Sequence, residues 1–250
     1  MSYDISYESR KMKFPIDSYD IKARYAPALL LSLPIIITFW TCFPKEVEAI
    51  SKLLSGILSG TILYALSVVI RALGLKVEPE LWKSWGGAPS TIIVSWSDSR
   101  LGNDLKAKIH QIVHSHLGLP MPSKEEEAAD SSKAHDLIGQ AFSRVKGLIR
   151  KKDKAGLWSV ANAEYGFARN LYGSRGLWLI ISCIMTFLSA GILWRQFNAL
   201  VFLGFMINIV ILVSCVILGW FILPAYTERV GFRYAEHAWE SFLNIADKNY

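Results

Sequence analysis

Residues Ala199–Leu223 read ALVFLGFMINIVILVSCVILGWFIL, which is 25 consecutive residues without a charged side chain. A membrane-spanning helix needs about 20 apolar residues to cross a hydrocarbon core about 30 Å thick. Because that core offers no water to satisfy free backbone groups, such a block is expected to be helical. Three further uncharged blocks of 18, 18 and 19 residues are Ala26–Phe43, Leu53–Ile70 and Gly176–Trp194. The sequence therefore predicts four membrane-spanning helices.

The composition of the whole chain agrees with this prediction. The chain has 250 residues, of which 52% are hydrophobic and 19% are charged, whereas soluble domains carry about 25% charged residues. These values exclude a disordered chain, a nucleic-acid-coating protein and a disulfide framework. Three cysteines, Cys42, Cys183 and Cys215, lie in or at the ends of the apolar blocks. We interpret them as small apolar side chains, and we expect neither a metal site nor a cofactor.

The distribution of basic residues near the block ends predicts the orientation. Twelve Lys and Arg residues lie close to the blocks on the side of the N-terminus, the central segment and the tail. The other side has three, which are Lys45, Lys52 and Arg195. Basic residues are enriched in cytoplasmic loops, so we expect both termini in the cytoplasm. The expected location is a bacterial inner (plasma) membrane.

The spacing of the blocks divides the chain into five parts. The two outer connections are short, so consecutive blocks are expected to form antiparallel hairpins. The central segment Lys76–Arg175 has 15 basic and 11 acidic residues and is too long for a simple loop. The predicted parts are an N-terminal arm (1–25), hairpin 1 (26–73), a cytosolic domain (76–175), hairpin 2 (176–223) and a cytosolic tail (224–250).

Local patterns within the central segment predict mostly helices. Ser90–Trp96 is rich in β-branched residues and is the one predicted strand. Asn103–Leu117, followed by Gly118, has the pattern of a helix with its stop signal, and Ser123 with Glu126 matches a capping box. Further helices are predicted at Lys133–Lys152 and about 155–172. The expected fold is an all-α integral membrane protein, with two transmembrane hairpins flanking a mostly helical cytosolic domain that has a minor strand element.

A dense basic cluster lies at the end of the helix predicted at Lys133–Lys152. Three interpretations compete: a solvated helix end favoured by the helix dipole, a site for anionic lipid headgroups, or a site for a phosphate-bearing ligand. The cluster consists of Arg144, Lys146, Arg150, Lys151, Lys152 and Lys154.

Two motifs stand next to the membrane blocks. Residues 85–91 (WGGAPST) and Asn162–Leu171 (NAEYGFARNL) resemble motifs of an uncharacterised family of bacterial four-span membrane proteins. The resemblance implies no activity and no site residues. From their polar and aromatic character we expect some of these residues to couple the domain to the membrane. They are Trp85, Asn162, Tyr165, Phe167 and Arg169.

Small and polar residues inside the blocks predict helix packing and oligomer contacts. Small residues let transmembrane helices approach closely, and an amide at depth hydrogen-bonds a neighbouring helix. The four blocks contain no ionisable Asp, Glu, Lys, Arg or His, which argues against a proton-coupled transporter. The predicted packing residues are Gly56, Gly60, Ser182, Thr186, Ala190 and Asn208.

No nucleotide-binding, nucleophile-elbow or catalytic-triad pattern is present. His110, His114 and His116 do not share one helix face, and we expect no metal ion there. We therefore expect a non-enzyme, with a membrane hydrolase kept as an alternative. The favoured hypothesis is an oligomeric, ligand- or partner-responsive, channel-like or membrane-disrupting effector. Its expected partners are the bilayer, further copies of the chain, and a cytosolic protein or phosphate-bearing ligand. The alternative is a membrane anchor or scaffold that recruits a cytosolic protein.

Overall fold

The computed structural model describes residues 18–45, 57–152 and 156–247, and these residues are almost entirely helical. The first helix begins with one turn at Ser18–Asp20 and a π-helical turn at Ile21–Tyr25. A second π-helical turn, Ile217–Ile222, joins the last two helices into one rod. The helices are α1 (Ala26–Cys42), α2 (Ile57–Ser84), α3 (Pro89–Ile92), α4 (Asn103–Leu117), α5 (Lys124–Ala129), α6 (Ser131–Lys152), α7 (Leu157–Arg195), α8 (Ala199–Val216) and α9 (Leu223–Asp247).

Four helical segments in the described residues are long and apolar enough to cross a membrane, which supports a multi-pass membrane protein. They are Ile21–Cys42, Gly60–Ile92, Leu157–Arg195 and Ala199–Asp247. Most of their apolar side chains point outward, as lipid-facing side chains do. Trp194, Phe187 and Phe221 are between 75 and 92% exposed.

Helix α7 is the central element, because it packs against α1, α2, α8 and α9. Helix α1 packs mainly against α7 and α8, and α2 packs mainly against α7. Helices α7 and α8 are joined by a tight turn in which the Asn198 side chain accepts from the amides of Leu200 and Val201. The predicted arrangement of two separate hairpins is not confirmed, since α1 and α2 both pack mainly against α7.

The helical domain, meaning α3–α6 with the N-terminal half of α7 and α9, has its own hydrophobic core. Helix α9 belongs to the chain's tail, yet its aromatic face fills the centre of this core. Trp239 and Phe242 are each 1% exposed, and the ring of Trp239 packs against Phe142 of α6 and against Phe242. Burying such a side chain stabilises a protein by roughly 1.5–3 kcal/mol. The tail is therefore part of the domain.

The strand predicted at Ser90–Trp96 is absent from the described residues. Pro89 opens the short helix α3, because its fixed φ suits a first helical turn. Turns follow up to Ser97. The β-branched residues Ile93 and Val94 are buried in the core from several sides. These residues are apolar because the turn is buried. A run of β-branched residues looks the same in sequence whether it forms a buried turn or a strand.

Hydrogen bonds to buried polar groups stabilise this turn, where a strand would have the backbone hydrogen bonds of a sheet. Glu127 of α5 accepts hydrogen bonds from the amides of Trp96 (2.8 Å) and Ser97 (2.9 Å) and from the hydroxyl of Ser95. Burial alone would raise the pKa of Glu127, but these hydrogen bonds outweigh it and lower the pKa to about 2. Lys106 is fully buried and donates to the backbone carbonyl of Ser95 at 2.7 Å.

Several local predictions agree with the structure. Helix α4 spans Asn103–Leu117 and ends at Gly118, whose φ of +62° is the left-handed conformation that glycine adopts without strain. Ser123 and Glu126 form the reciprocal hydrogen bonds of a capping box at the start of α5. The helix predicted near 155–172 runs on without a break into the third apolar block.

Candidate functional site

A groove of about 450 Å³ opens on the helical domain where the WGGAPST motif faces α6. Gly86 and Gly87 have φ values of +90° and +146°, which only glycine adopts readily, and they turn the chain sharply between α2 and α3. The volume lies within the range of small-molecule sites, about 300–1,000 Å³. The lining residues are Gly87, Ala88, Thr91, His135, Asp136, Gly139, Gln140 and Ser143.

The lining is polar and includes small residues. Gly139 and Ser143 of α6 leave space beside Thr91, which is 6% exposed and lies on the opposite wall. His135 and Asp136 supply the titratable groups, and no Lys or Arg lines the groove. The groove therefore suits a neutral or positively charged polar ligand, or an extended chain whose backbone forms hydrogen bonds.

The wall of the groove is fastened to α9. The indole of Trp239 donates to the carbonyl of Ser90 at 2.9 Å. Gly231 of α9 has no side chain, which lets Trp85 and Pro89 pack directly against the helix. Helix α9 continues through a π-helical turn into α8, so one helical rod joins the groove wall to the fourth apolar block.

A buried polar network joins α2 to α7 below the groove. Arg169 forms an ion pair with Glu78 (2.8 Å), and their side chains are 9 and 15% exposed. The hydroxyl of Tyr165 donates to the same carboxylate oxygen at 3.0 Å and accepts from the indole of Trp82 at 3.0 Å. Breaking such a buried pair costs more than forming it gains, since one charge is left without its partner.

Asn170 extends this network to α1. Its side-chain amide donates to the backbone carbonyl of Ala23 at 2.7 Å. Ala23 lies within the π-helical turn Ile21–Tyr25, and π-helical turns are often found at functional positions. The side-chain oxygen of Asn170 accepts hydrogen bonds from the guanidinium of Arg169. Three helices thus meet at two adjacent side chains.

Two glycines bring α2 and α7 unusually close at this junction. A Cβ added at Gly173 would lie 2.6 Å from the carbonyl oxygen of Leu73 and 2.7 Å from the Cα of Gly74. A Cβ added at Gly74 would lie 2.8 Å from the Cα of Asn170. These distances are well below van der Waals contact, so the crossing requires glycine on both helices.

The five residues expected to couple the domain to the membrane occupy different positions. Tyr165 and Arg169 lie in the buried network, and Trp85 packs on Gly231 and Phe232 of α9. Phe167 packs against a second cluster of buried residues, to which α1, α2, α7, α8 and α9 all contribute. Asn162 is half-buried.

Most of the described residues of the predicted basic cluster are exposed on the surface of α6. Arg144, Arg150, Lys151 and Lys152 are exposed on α6, and Lys154 lies outside the described residues. Lys146 is half-buried, and burial lowers its pKa, with a further decrease caused by nearby Arg150.

Some of the predicted packing residues make contacts within a single chain. Asn208 donates to the hydroxyls of Thr38 (2.8 Å) and Ser189 (3.2 Å), which links α8 to α1 and α7. Ser182 is fully buried, Thr186 donates to the Ser182 carbonyl, and Ala190 is half-buried. Gly60 is exposed with nothing near its Cβ position, and Gly56 lies outside the described residues.

The three histidines of α4 differ in their exposure to solvent. His110 is 8% exposed and donates to the carbonyl of Val94, and burial lowers its pKa. His114 and His116 are exposed. Within the part of the chain that the structure describes, no three His, Cys, Asp or Glu side chains are placed to hold a metal ion.

Sequence reasoning missed Glu78, Trp82 and Asn170, which lie at the centre of the junction. A weak signal was available, because a carboxylate next to a transmembrane block requires a cationic partner, and Arg169 and Arg175 are basic residues shortly before the third block. Comparison with protein families, with curated proteins and with solved structures finds no match to this chain.

Proposed function

We propose that the protein is a ligand- or partner-responsive membrane effector, in which the helical domain binds a ligand and the membrane helices respond. The observation that carries this proposal is the continuity of helices from the helical domain into the apolar blocks. Helix α7 contains 39 residues, which is about 58 Å at about 1.5 Å per residue. Helix α2 and the α8–α9 rod make the same passage without a break.

The buried network supports a rigid connection between the two regions. Glu78, Tyr165 and Arg169 join α2 to α7 at the membrane end of the domain. Packed interfaces of this kind change between discrete arrangements, so small shifts at a site are transmitted over long distances. The concrete form of the proposal is a channel-like or membrane-disrupting protein that acts as an oligomer in a bacterial inner membrane, with both termini in the cytoplasm.

Oligomerisation is part of the proposal because one chain offers too few polar groups to line an aqueous path. Within the described residues, the hydroxyls of Thr38 and Ser189 are occupied by Asn208. Gly60 and Gly191 have open space around them, which leaves surfaces where another helix can approach closely.

Dye release from liposomes containing the purified chain tests the proposal. Gly139→Leu fills the groove, because Gly139 lines it and its added Cβ meets only Thr91 at 3.8 Å. Gly147→Leu is the matched control on the same helix, since nothing lies within 4 Å of its Cβ and it does not line the groove. We expect dye release by Gly139→Leu to differ several-fold from that of the wild type. We expect dye release by Gly147→Leu to equal that of the wild type.

The basic cluster is tested in the same assay. Arg150→Glu with Lys151→Glu reverses two exposed charges on α6. Binding of anionic lipid heads or of a phosphate-bearing ligand predicts altered release in this double variant. If wild type and all variants cause no release and no depolarisation, the effector proposal is wrong.

The alternative is a membrane anchor that recruits a cytosolic protein. The open groove favours it, because an extended segment of a partner can lie along the α6 face formed by Asp136, Gln140 and Ser143. The aromatic side chains Trp239 and Phe242 of the tail are not available to a partner, since they are buried in the domain's own core. Capture of one cytosolic protein by wild type and Gly147→Leu, but not by Gly139→Leu, without any dye release, would support the anchor.

A further inference from the structure

Arg175 lies immediately before the apolar block Gly176–Trp194 of α7, in an aromatic setting. Its guanidinium carbon lies 3.9 Å from the ring centre of Tyr172 and 5.3 Å from that of Trp220. Such cation–π contacts hold an arginine in place while leaving its N–H groups available. The two rings come from α7 and from the π-helical turn Ile217–Ile222, so the arginine bridges two helices.

One N–H group of Arg175 is used by the π-helical turn. The guanidinium donates from Nη1 to the carbonyl of Gly219 at 3.3 Å. A Cβ at Gly219 would only come into ordinary van der Waals contact with the Cβ of Arg175, at 3.4 Å. A guanidinium has five N–H donors, so most of its hydrogen-bonding capacity remains.

Arg175 is half-buried and has no carboxylate partner within the described residues, whereas the other described arginines that are not exposed, Arg24 and Arg169, both have one. Arg24, Arg100, Arg169 and Arg233 each form an ion pair with Asp or Glu. A half-buried arginine with free donors and no counter-charge suits an external anion. Phosphate matches it well, because the planar guanidinium binds two phosphate oxygens at once.

The neighbouring surface identifies the source of that phosphate. Ile217, Trp220 and Phe221 are 48, 41 and 75% exposed beside the arginine. Exposed apolar side chains next to the cation suit acyl chains, whereas a free phosphate ion would gain nothing from them. We infer that Arg175, with Tyr172, Trp220 and the π-helical turn, binds the phosphate of a phospholipid headgroup where α7 contacts the π-helical turn between α8 and α9.

This inference does not depend on the proposed effector function, because it concerns a structural lipid at a fixed position. The test is native mass spectrometry of the full chain in detergent, titrated with phosphatidylglycerol, phosphatidylcholine and diacylglycerol with identical acyl chains. We expect both phospholipids to bind and diacylglycerol to fail, with no displacement by excess inorganic phosphate.

Arg175→Gln is expected to weaken phospholipid binding about tenfold, as loss of a charged hydrogen-bonding group does. Arg71→Gln is the matched control, because Arg71 is exposed and directly flanks the apolar block Leu53–Ile70 without such an aromatic setting. That control should change binding less than about twofold. Trp220→Leu keeps the charge and removes one ring, and an intermediate loss is expected.

Four results would overturn the inference. They are equal loss in the Arg175 and Arg71 variants, diacylglycerol binding as tightly as phospholipid, displacement by inorganic phosphate, and unchanged binding in folded Arg175→Gln protein. If Arg175→Gln does not fold, Trp220→Leu decides the matter, and unchanged binding in that variant rejects the site.

Discussion

The close crossing of α2 and α7 predicts a large effect from one added methyl group. In Gly173→Ala, the new Cβ would lie 2.6 Å from the carbonyl oxygen of Leu73, about 0.8 Å short of ordinary contact at 3.4 Å. The clashing atoms belong to the backbone, so no side-chain rotation relieves them and the helices must separate. Separation would also lengthen the Arg169–Glu78 ion pair nearby.

Overpacking of this kind costs typically about 1–3 kcal/mol. For a chain of this size we expect the melting temperature to fall by about 2–12 °C. The assay is thermal unfolding in detergent, followed with a thiol-reactive dye that reports exposure of the buried Cys215.

Gly176→Ala on the same helix is the matched control. Nothing lies within 4 Å of the Cβ position of Gly176. Replacing glycine by alanine in an unhindered helix stabilises a protein by about 0.5–1 kcal/mol. The two substitutions are therefore expected to have opposite signs. A Gly173→Ala protein as stable as wild type would refute the reasoning about the crossing.

Three further predictions concern the network, the turn and the cap. Glu78→Gln leaves Arg169 without a counter-charge and should lower the free energy of unfolding by about 2–3 kcal/mol in denaturant titrations, whereas Glu80→Gln, at an exposed position, should change little. The pKa of Glu127 falls from 4.5 to about 2 on folding, so the stability that its carboxylate contributes is complete above pH 4.5 and is lost as the pH falls toward 2. In Glu127→Gln, the free energy of unfolding should therefore depend less on pH between 4.5 and 2. An unchanged pH dependence would contradict the role given to Glu127. Ser123→Ala removes one half of the capping box and should cost about 1 kcal/mol in the same titration, while a neutral result would show that α5 is held by tertiary contacts alone.

Patterns of local origin were predictable from the sequence. The stop at Gly118 and the capping box at Ser123 depend only on residues a few positions apart. The strand at Ser90–Trp96 was wrong because β-branched residues report burial, and here a turn held by Glu127 is buried instead. The partner of that turn lies 30 residues further along the chain, and no local pattern reveals it.

The junction was only partly predictable for the same reason. The density of polar and aromatic residues pointed to Tyr165 and Arg169, but their partner Glu78 lies 87 and 91 residues away in sequence. The basic residues of α6 formed a cluster in sequence, yet most of them point into solvent. Consecutive residues on a helix point in different directions, so a run of charges does not by itself make a site.

The sequence by itself determined that the chain has four apolar helices of membrane-spanning length, because hydrophobicity and helix length are properties of contiguous residues. The tertiary structure alone decided that α7 is the common partner of the other long helices, that the tail completes the core of the helical domain, and that a groove forms beside the glycine turn. Those features depend on contacts between distant residues. They are set by where Gly74 and Gly173 let helices cross and where buried charges find partners.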